Sequence, residues 1–413
     1  MLLVGTDLVE IRRIRRSMRN PRFCSRVFGE REAARLSERG FSASSAAASF
    51  CAKEAYGKAM GTGLSGFDLR EVQLLHRKSG KPELVLSGHA LALSRGLRFQ
   101  VSVTHTEQYA SAVVVGEGSP VPLPESEGLR ILRSMLKPRA ADSNKGDYGR
   151  LLCICGSEGM AGAAMMSIGA ALRCGAGIVE AALPRSLYPV VAARLAEPVF
   201  TLLDLQPDGQ LSPSSEISLR AAISRASAVL IGCGLGKSAS ARKELSLVLQ
   251  NAEVPVVVDA DGINLAAEHT DTIKAAEAPL ILTPHPGEMA RLMKTGAAEI
   301  QAHRRQVALG FAAEFGVTLV LKGAGTLVAS PTGRLYRNTT GNPGMAKGGS
   351  GDTLAGMIAS FAAQGIAPFE SAAGAVYLHG LAGDRCAARL SQTAMLPTDM
   401  ADALPELFLQ IGK

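Results

Sequence analysis

The stretch NPGMAKGGSGDTLAG, Asn342 to Gly356, places five glycines around one Lys and one Asp and then continues into an apolar, helix-like pattern. A glycine-rich turn that opens a helix lets backbone N–H groups point at an anion, and the helix dipole adds a favourable potential. Gly348, Gly349 and Gly351 would allow a phosphate to approach closely. Asp352 falls in the first turn of that helix, where an acid on its own is usually a cap. The turn is not a Walker A loop, because no Gly-Lys-Ser/Thr closes it.

Short runs of Val, Ile and Leu alternate with helical stretches upstream of this turn. The runs are RLLCICGS, GIVEAALP, ASAVLIGCGLG, PVVVDADG, PLILTPHPGE and VTLVLKGAGT. Continuous apolar runs of this length fit strands that are buried on both faces of a parallel sheet. Nearly every run ends in Gly, Asp, His or Ser, and open α/β sheets bind ligands outside the carboxyl ends of their strands. The pattern therefore predicts a doubly wound α/β domain with its site at that edge.

A second, smaller domain precedes this one. The segment GEGSPVPLPESEG, residues 116–128, combines three prolines with glycines and acids and reads as a linker. Before it, VQLLHRKSGKPELVLSG and FQVSVTHTEQYASAVVVGE alternate as strands do, around the helix-like SSAAASFCAKEAYGKAMG. We expect a small α+β domain at residues 1–117, a linker at 118–126 and the larger domain at 127–413.

The composition excludes several classes of function. Hydrophobic residues at 47% and charged residues at 20% describe a globular protein. Trp is absent and aromatic residues are few, so we expect no nucleic-acid partner that binds by base stacking. No apolar run reaches the roughly 18 residues of a membrane span, and the first residues lack the order of a secretory signal. Seven cysteines, mostly in apolar surroundings, favour reduced, buried thiols. We therefore expect a cytoplasmic protein with no membrane partner.

The positive charge lies in the first quarter of the chain. Residues 1–118 hold 18 Lys and Arg against 11 Asp and Glu, while the remaining charges cancel. Six arginines crowd one short segment: Arg12, Arg13, Arg15, Arg16, Arg19 and Arg22. Such a cluster is either a solvated helix face or a dock for an acidic partner or for phosphates.

The larger domain resembles a known family. Its ordered motifs are NKGDYGRLLCICGSEGMAGAAMMSIGAALRCGAGIV, GCGLG, VVDADGINLAA, LTPHPGEMARL, LKGAGTLVASPTG and NTTGNPGMAKGGSGD. The GGSGD segment resembles the anion hole and catalytic Asp of the ribokinase-like fold. Together the motifs resemble the ADP- or ATP-dependent NAD(P)H-hydrate dehydratases over about residues 127–413. The resemblance implies repair of a damaged cofactor, in which the S form of hydrated NADH or NADPH loses water at the expense of a nucleotide phosphate.

The resemblance also implies roles for individual residues. Asp352 would be the base at the substrate hydroxyl, and Gly351 would contact the nucleotide. The nucleotide phosphate would be held by the turn made of Lys322, Gly323, Ala324, Gly325 and Thr326. The hydrate would be contacted by Ala163, Gly236, His285 and Asp352.

For several residues of this domain, the sequence leaves other interpretations open. From the residues alone, Ala163 could equally be a small packing residue and His285 a turn residue between two prolines. Asp259 and Asp261 could cap the next helix or support the site, so we leave them outside the catalytic set. Lys347 stands where the family commonly has Thr, and it would add positive charge beside the phosphate.

The smaller domain holds three further candidates, each with an alternative. Asp7, which we expect at the end of a strand, and Glu10 have the spacing of a helix capping box. Glu54 and Lys58 are four apart and could be a surface pair on one helix. His105 could be an ordinary strand histidine. Taken together, GTDLVEIRRI, FCAKEAYGKAMGTG and VSVTHTEQYASAVVV occur in the order seen in holo-[acyl-carrier-protein] synthases, which they resemble.

This second resemblance implies transfer of 4'-phosphopantetheine from coenzyme A to a serine of an acyl carrier protein. Asp7 and Glu54 would hold Mg2+, a hard cation that prefers oxygen ligands. Lys58 would act catalytically at the phosphates, and His105 would contact coenzyme A. The arginine-rich helix, with Arg13 and Arg16, would dock the acidic carrier protein. Because that family builds its site between subunits, we expect a homo-oligomer.

The sequence thus predicts a bifunctional enzyme. The alternative for the larger domain is a small-molecule kinase of the same ribokinase-like fold, which shares the GGSGD chemistry. The alternative for the smaller domain is a non-catalytic module for carrier binding or oligomerisation.

Overall fold

The computed structural model describes residues 2–38, 40–77, 79–94, 97–118 and 123–412. The chain divides into two compact units, Met1–Pro122 and Leu123–Lys413. Residues 119–122 of the expected linker lie outside the described residues. Among the described residues, no helix combines the length and the hydrophobicity needed to cross a membrane.

The first unit is a mixed α+β structure. In chain order its elements are β1 (Leu2–Glu10), α1 (Ile11–Ser17), α2 (Pro21–Val27), α3 (Glu30–Glu38), α4 (Ala43–Ala59), a 3-10 turn (Leu69–Glu71), β2 (Val72–His76), β3 (Pro82–Leu86), α5 (Gly88–Ser94), β4 (Arg98–His105) and β5 (Tyr109–Glu117). The strands form an antiparallel sheet in the order β1-β5-β4 and a separate β2-β3 hairpin. The predicted strands and the central helix are confirmed.

The Ala-rich helix α4 packs closely on β1. Its first turn is capped by Ser42, whose side chain accepts a hydrogen bond from the N–H of Ser45. Gly5 permits the close packing, because a Cβ there would overlap the carbonyl oxygen of Ala55. This contact brings the middle of β1 against the middle of α4.

The start of the chain differs from the prediction in one respect. We expected a strand that ends at Asp7, but β1 continues to Glu10 and the helix begins at Ile11. Asp7 is therefore a strand residue and not the first residue of a capping box. Glu10 precedes α1 without any side-chain capping hydrogen bond. The alternation of buried and exposed residues along β1 explains the difference, since it runs unbroken to Glu10.

A buried ion pair ties α4 to the rest of the first unit. Lys53 and Glu32 are both almost completely inaccessible, and the Lys53 Nζ lies 2.7 Å from Glu32 Oε2. The same ammonium donates to the carbonyls of Leu69 and Val72, while Glu32 Oε1 accepts from the N–H of Leu74 at 2.9 Å. Burial lowers the pKa of Lys53, and the neighbouring carboxylate opposes that change. The pair joins α3, α4 and β2.

The second unit begins with helix α6. The elements that follow form three layers, a sheet between two layers of helices. Its first elements are α6 (Glu127–Met135), β6 (Arg150–Ile154), α7 (Ala161–Arg173), β7 (Ile178–Pro184), α8 (Tyr188–Ala192), β8 (Val199–Leu203), α9 (Pro213–Ser224), β9 (Ala228–Ile231), α10 (Ala239–Asn251), β10 (Val256–Val258), α11 (Ala260–Ala266), α12 (Asp271–Ala275) and β11 (Leu280–Leu282). The remaining elements are α13 (Pro286–Met293), α14 (Ala297–Ala302), α15 (Arg304–Phe315), β12 (Thr318–Leu321), β13 (Leu327–Ala329), β14 (Leu335–Arg337), α16 (Ser350–Ala363), α17 (Pro368–Ala394) and α18 (Pro397–Ile411).

These strands form one nine-stranded sheet in the order β14-β13-β12-β11-β10-β9-β6-β7-β8. The seven strands from β12 to β8 are parallel, β13 is antiparallel to them, and β14 is antiparallel to β13. All six predicted strands are confirmed as adjacent parallel strands. The prediction missed β8, which is a half-exposed edge strand, and the three-residue strands β13 and β14, which are too short to show a period.

Helices cover both faces of the sheet, as the doubly wound prediction requires. Along β6, Leu151 and Cys153 belong to one core and Leu152 and Ile154 to the other. The first core is completed by α6, α7, α16, α17 and α18, and the second by α9, α10, α11, α13 and α15. The carboxyl ends of the parallel strands therefore lie at one shared edge.

We predict that Lys53→Ala destabilises the first unit by about 3–5 kcal/mol, because it leaves the Glu32 carboxylate buried without its partner. Pulse-labelling hydrogen exchange of the full chain in a urea series, read on peptides from α3 and α4, measures the change. The control is Arg77→Ala, which removes an exposed pair with Glu83. Equal unfolding midpoints for both variants would contradict the structural role of the buried pair.

Candidate functional sites

The glycine-rich turn leads into α16 without a side-chain cap. Gly349 precedes the helix in a left-handed conformation, φ +96°, and its missing side chain leaves room for the sulfur of Met166. The first N–H groups of a helix have no partners within the helix. Here the Ser350 N–H donates to the Lys347 carbonyl at 3.2 Å, while the Gly351 N–H has no such bond among the described residues and remains available to an anion. Asp352 is the third residue of α16 and not its cap. The capping interpretation of Asp352 is thus wrong.

Asp352 lies beside a buried cluster at the carboxyl edge of the sheet. The Cys233 sulfur and one carboxylate oxygen each of Asp259 and Asp352 lie within 4.8 Å of one another. The Lys322 Nζ lies 2.6 Å from Asp259 Oδ1, and the Thr283 hydroxyl donates to the same oxygen at 2.5 Å. Asp259 follows β10, and Lys322 follows β12. The cluster is therefore assembled from the ends of separate strands.

The surroundings change the acidity of this cluster. Burial and the neighbouring charge of Asp259 raise the pKa of Asp352 to about 6, while a hydrogen bond from Cys233 opposes the increase. Burial lowers the pKa of Lys322, but Asp259 and Glu288 outweigh it, and the net pKa is raised. Lys322 is therefore a cation, and Asp352 is a carboxyl that can exchange a proton near neutral pH.

The turn after β12 places backbone and cations together. Gly323 and Gly325 adopt left-handed conformations, with φ +140° and +64°. A Cβ on Gly323 would contact the guanidinium of Arg304, and a Cβ on Gly325 would contact that of Arg337. Arg304 also donates to the carbonyl of Lys322 at 3.2 Å. Two guanidiniums thus flank the predicted phosphate turn.

The other residues expected to bind the nucleotide lie in the same turn or against it. Ala324 is exposed there, and the Thr326 hydroxyl donates to the carbonyl of Gly323 at 2.9 Å. A Cβ on Gly351 would lie 3.2 Å from the Lys322 Nζ. The structure therefore brings Gly351, at the start of α16, against the lysine of this turn.

The three other residues expected at the hydrate lie in separate segments, one of them in a helix. Ala163, in α7, is buried against Gly234, and the Gly236 N–H donates to the Asp261 carboxylate at 2.9 Å. His285 caps α13, since its Nδ1 accepts hydrogen bonds from the next two N–H groups of the helix, at 3.0 and 3.3 Å. Its side chain nevertheless remains half exposed. Ala163 thus packs against a neighbouring residue, and His285 caps a helix. Neither role excludes a contact with substrate.

The ammonium of Lys347 binds backbone carbonyls. Its Nζ donates to the carbonyls of Thr393 and Met395, both at 2.6 Å. The expectation that Lys347 adds charge beside the phosphate stays a prediction.

In the first unit, a second cluster forms where β1 meets α4. The Lys58 Nζ lies 2.8 Å from Asp7 Oδ1, and the Cys51 thiol donates to Asp7 Oδ2 at 3.2 Å. Burial and the charge of Asp7 raise the pKa of Glu54. The hydrogen bond to Asp7 raises the pKa of Lys58. Lys58 thus pairs with Asp7 across the packing contact, and the expected alternative of a Glu54–Lys58 surface pair is not the arrangement found.

This cluster fits a hard divalent cation. Two carboxylates, Asp7 and Glu54, lie close enough to interact directly, and their mutual repulsion is relieved only in part by Lys58. Carboxylate oxygens are the ligands that Mg2+ prefers, and it typically uses one or two of them together with substrate phosphates.

His105 and the arginines lie around this cluster without direct bonds to it. His105 ends β4, which is separated from β1 by β5, so about 10 Å divides the two strands. Arg13 and Arg16 are exposed on α1, whose other face buries Ile11 and Ile14. The charge of Arg13 also acts on Glu54, opposing the increase in its pKa.

Several site residues were not found from the sequence. Asp259 was left undecided, yet its buried side chain binds Lys322 and caps nothing. Cys233, in the quoted GCGLG motif, was read as a buried thiol with no further role. Arg304 and Arg337 carried no sequence signal, because they come from a helix and an edge strand that the tertiary fold brings to the turn. A carboxylate directly after a buried strand was the one usable signal, and it applied to Asp259.

The parallel sheet, the uncapped helix start and the adjacent acid define a ribokinase-like α/β domain. Residues 151–406 match the family model for NAD(P)H-hydrate dehydratase, and residues 3–114 match the model for the 4'-phosphopantetheinyl transferase superfamily. The chain therefore belongs to the NAD(P)H-hydrate dehydratase family, with a transferase-superfamily domain before it.

Individual relatives agree with this assignment. The bifunctional NAD(P)H-hydrate repair enzyme Nnr of Moorella thermoacetica is 44% identical over 273 residues, 66% of this chain and 52% of the relative. The ADP-dependent (S)-NAD(P)H-hydrate dehydratase of Neisseria meningitidis is 40% identical, covering 60% of this chain and 81% of the relative. The chain spans about half the length of the bifunctional relatives that it matches.

A solved structure has the same fold. The ADP/ATP-dependent NAD(P)H-hydrate dehydratase of Bacillus subtilis, co-crystallised with ATP/Mg2+, superposes with a TM-score of 0.58 and 31% identity. The match covers 68% of this chain and 97% of that one.

Proposed function

We propose that residues 127–413 form an ADP- or ATP-dependent (S)-NAD(P)H-hydrate dehydratase and residues 1–117 a holo-[acyl-carrier-protein] synthase, joined by residues 118–126. The observation that supports the dehydratase part of this proposal is the position of Asp352. It combines a pKa of about 6 with a place at the uncapped start of α16, next to Lys322. A proton acceptor beside an anion site is what phosphorylation of a hydroxyl requires.

In this mechanism Asp352 takes the proton of the hydrate hydroxyl while that oxygen attacks the terminal phosphorus of the nucleotide. The bond between that phosphorus and the remaining nucleotide breaks. The N–H groups at the start of α16, Gly351 and Lys322 stabilise the transferred charge. Phosphate then leaves the ring carbon, pushed by the lone pair of the ring nitrogen, and loss of a neighbouring proton restores the double bond. Hydroxide leaves poorly, so the phosphate supplies the better leaving group.

The nucleotide and the hydrate would approach from different loops. The turn from Lys322 to Thr326, with Arg304 and Arg337 beside it, supports binding of the nucleotide phosphates. Ala163, Gly236 and His285 would line the hydrate pocket. ADP appears in the name of the Neisseria relative, and ATP/Mg2+ was present in the Bacillus crystals. We propose ADP as the donor for this chain, with ATP as the alternative.

We predict that purified protein restores the absorbance of NADH from NADH hydrate only when ADP or ATP is present. In Asp352→Asn the recovery should fall by at least about a hundredfold, because the variant cannot accept the hydroxyl proton. Following absorbance with ADP, ATP or no nucleotide also identifies the donor. Wild type that fails with both nucleotides would contradict the proposal and favour a small-molecule kinase of the same fold.

We predict that dehydration declines as the pH falls through about 6, because the base must be ionised and protonation of Asp352 removes it. Cys233→Ala should move this decline to higher pH by about half a unit to one unit, since it removes a hydrogen bond worth about 1 kcal/mol that lowers the pKa of Asp352. The measurement is kcat against pH. Cys233→Ser keeps a donor and should move the profile less, and a decline at one common pH in all three proteins would contradict this coupling.

For the first unit, the proposed reaction transfers 4'-phosphopantetheine from coenzyme A to a carrier-protein serine. Asp7 and Glu54 would hold Mg2+, which when bound offsets the charge that develops on the leaving phosphate. Lys58 would turn from Asp7 to the substrate phosphates, and its exposed ammonium can reach solvent-side groups. His105 would contact coenzyme A.

We further propose that this unit acts as a homo-oligomer. The outer face of its sheet exposes Leu2, Val4 and Leu8 from β1 and Val113 from β5. A contiguous apolar face of this kind favours contact with a second copy. His105 makes no described contact with Asp7, so a neighbouring copy could complete the site. Reduced thiols and intracellular substrates support a cytoplasmic location.

We predict that Arg13→Glu with Arg16→Glu lowers kcat/KM for carrier modification at least about tenfold at low salt, because both side chains are exposed on the face that would meet an acidic carrier. The difference should shrink as salt is added, and dehydration should not change. The assay follows transfer of labelled phosphopantetheine.

The matched control reverses two exposed charges elsewhere in the unit, Arg31→Glu with Lys81→Glu. Unchanged carrier kinetics in the Arg13 and Arg16 variant at low salt would exclude this docking surface. Asp7→Asn with Glu54→Gln should abolish transfer but leave carrier binding. If transfer survived, the metal site would be wrong, and if no transfer occurred in wild type, the unit would be a binding module.

A further inference from the structure

A groove of about 630 Å³ follows α7. One face of α7 forms its floor, with the spacing of three and four residues that a helix face requires. These residues are Gly162, Met165, Met166, Gly169, Ala170 and Arg173. Its volume lies in the range of small-molecule sites.

One end of the groove lies beside the glycine-rich turn. Met166 lines it and packs against Gly349 of that turn. Two further lining residues, Gly162 and Thr353, are next to Ala163 and Asp352 in the sequence. A molecule whose reacting ring lay at Asp352 could therefore extend into the groove.

The turn proposed to bind the nucleotide donor follows a different strand from the groove. That turn follows β12, whereas α7 follows β6, and four strand spacings, about 19 Å, separate those two strands. The groove is thus not required for the donor. Two other large cavities, one beside α10 and one beyond the carboxyl end of α16, are not lined by residues next to Asp352.

Two arginines lie toward the far part of the groove. Arg173 ends α7, about 16 Å along the helix from Gly162, and Arg194 lies in the loop after α8. Both are exposed, and neither has a hydrogen bond or ion pair among the described residues. Glu197 and Asp402 also line the groove. Guanidiniums match phosphates, and carboxylates accept hydrogen bonds from ribose hydroxyls, so the set suits a nucleotide.

We propose that this groove binds the adenosine half of the dinucleotide hydrate and that Arg173 and Arg194 recognise one of its phosphate groups. This inference rests on the proposed dehydratase function and extends it to the part of the substrate that does not react. The apolar floor would hold the base, and the arginines would hold either the pyrophosphate or the 2'-phosphate that only NADPH hydrate carries.

The test compares the full-length wild type, Arg173→Ala, Arg194→Ala and the double variant on NADH hydrate and NADPH hydrate at saturating donor. We expect KM to rise about tenfold for each lost guanidinium, with kcat nearly unchanged, because the reacting ring and Asp352 are not altered. A rise for both hydrates assigns the pyrophosphate, and a rise for NADPH hydrate alone assigns the 2'-phosphate. Wild-type KM values for both hydrates in the double variant would overturn the inference.

The control is Arg242→Ala, which removes an arginine beside the unrelated cavity at α10 and should leave both KM values unchanged. Equilibrium binding of NADPH hydrate to Asp352→Asn, with and without the arginine substitutions, provides a second measurement without turnover. Equal affinities there would also overturn the inference. Wild type that dehydrates neither hydrate would overturn the proposed function itself, and this inference with it.

Discussion

The ion pair between Lys322 and Asp259 is the contact on which the edge of the larger sheet depends. It joins the loops after β10 and β12 across the intervening strand β11, and Thr283 after β11 binds the same carboxylate. Because Asp259 is almost fully buried, removing the lysine would leave a charge without a partner, at a cost of about 3–5 kcal/mol. The remaining negative charge also raises the pKa of Asp352. One pair thus both shapes the site and adjusts its base.

In the smaller unit, close packing of a strand on a helix brings the site residues together. Gly5 lets β1 approach α4 until Asp7 meets Glu54 and Lys58, which are 47 and 51 positions further along the chain. Two carboxylates at this distance repel each other, and that repulsion is what a bound cation would relieve. Lys53, one residue before Glu54, is turned to the opposite side and is fully buried with Glu32. Neighbouring residues of α4 therefore serve the fold and the site separately.

The sequence predicted the architecture well where strands were long and buried. The six central parallel strands were visible because both of their faces are apolar, as Leu151 to Ile154 illustrate. The strands β13 and β14 and the edge strand β8 were missed, since tertiary contacts rather than a local period define them. The end of β1 was misplaced for a related reason, because a polar Asp7 inside a strand looks like a boundary.

The candidate sites were predictable to the extent that motifs lie on one segment. The GGSGD turn and the KGAGT turn could be read directly, while Arg304 and Arg337 come from elements with no local signal. Lys347 is a different case, since a cation next to the motif in sequence binds carbonyls at the end of α17, which the sequence did not indicate. Proximity along the chain indicates which residues share a loop, but the direction of a long side chain depends on which acceptors the fold leaves open.

The two sites proposed to act on phosphate groups have opposite electrostatic character. At Asp7 and Glu54 the protein is negative, so a phosphate would approach there together with a cation, and Lys58 is exposed enough to follow it. At α16 the protein supplies N–H groups at the helix start and Lys322, while the nearby Asp352, with its pKa raised to about 6, is mostly ionised at neutral pH. The raised pKa makes this carboxylate a stronger base than an ordinary aspartate. Burial of Asp352 therefore serves the proton transfer of the proposed reaction.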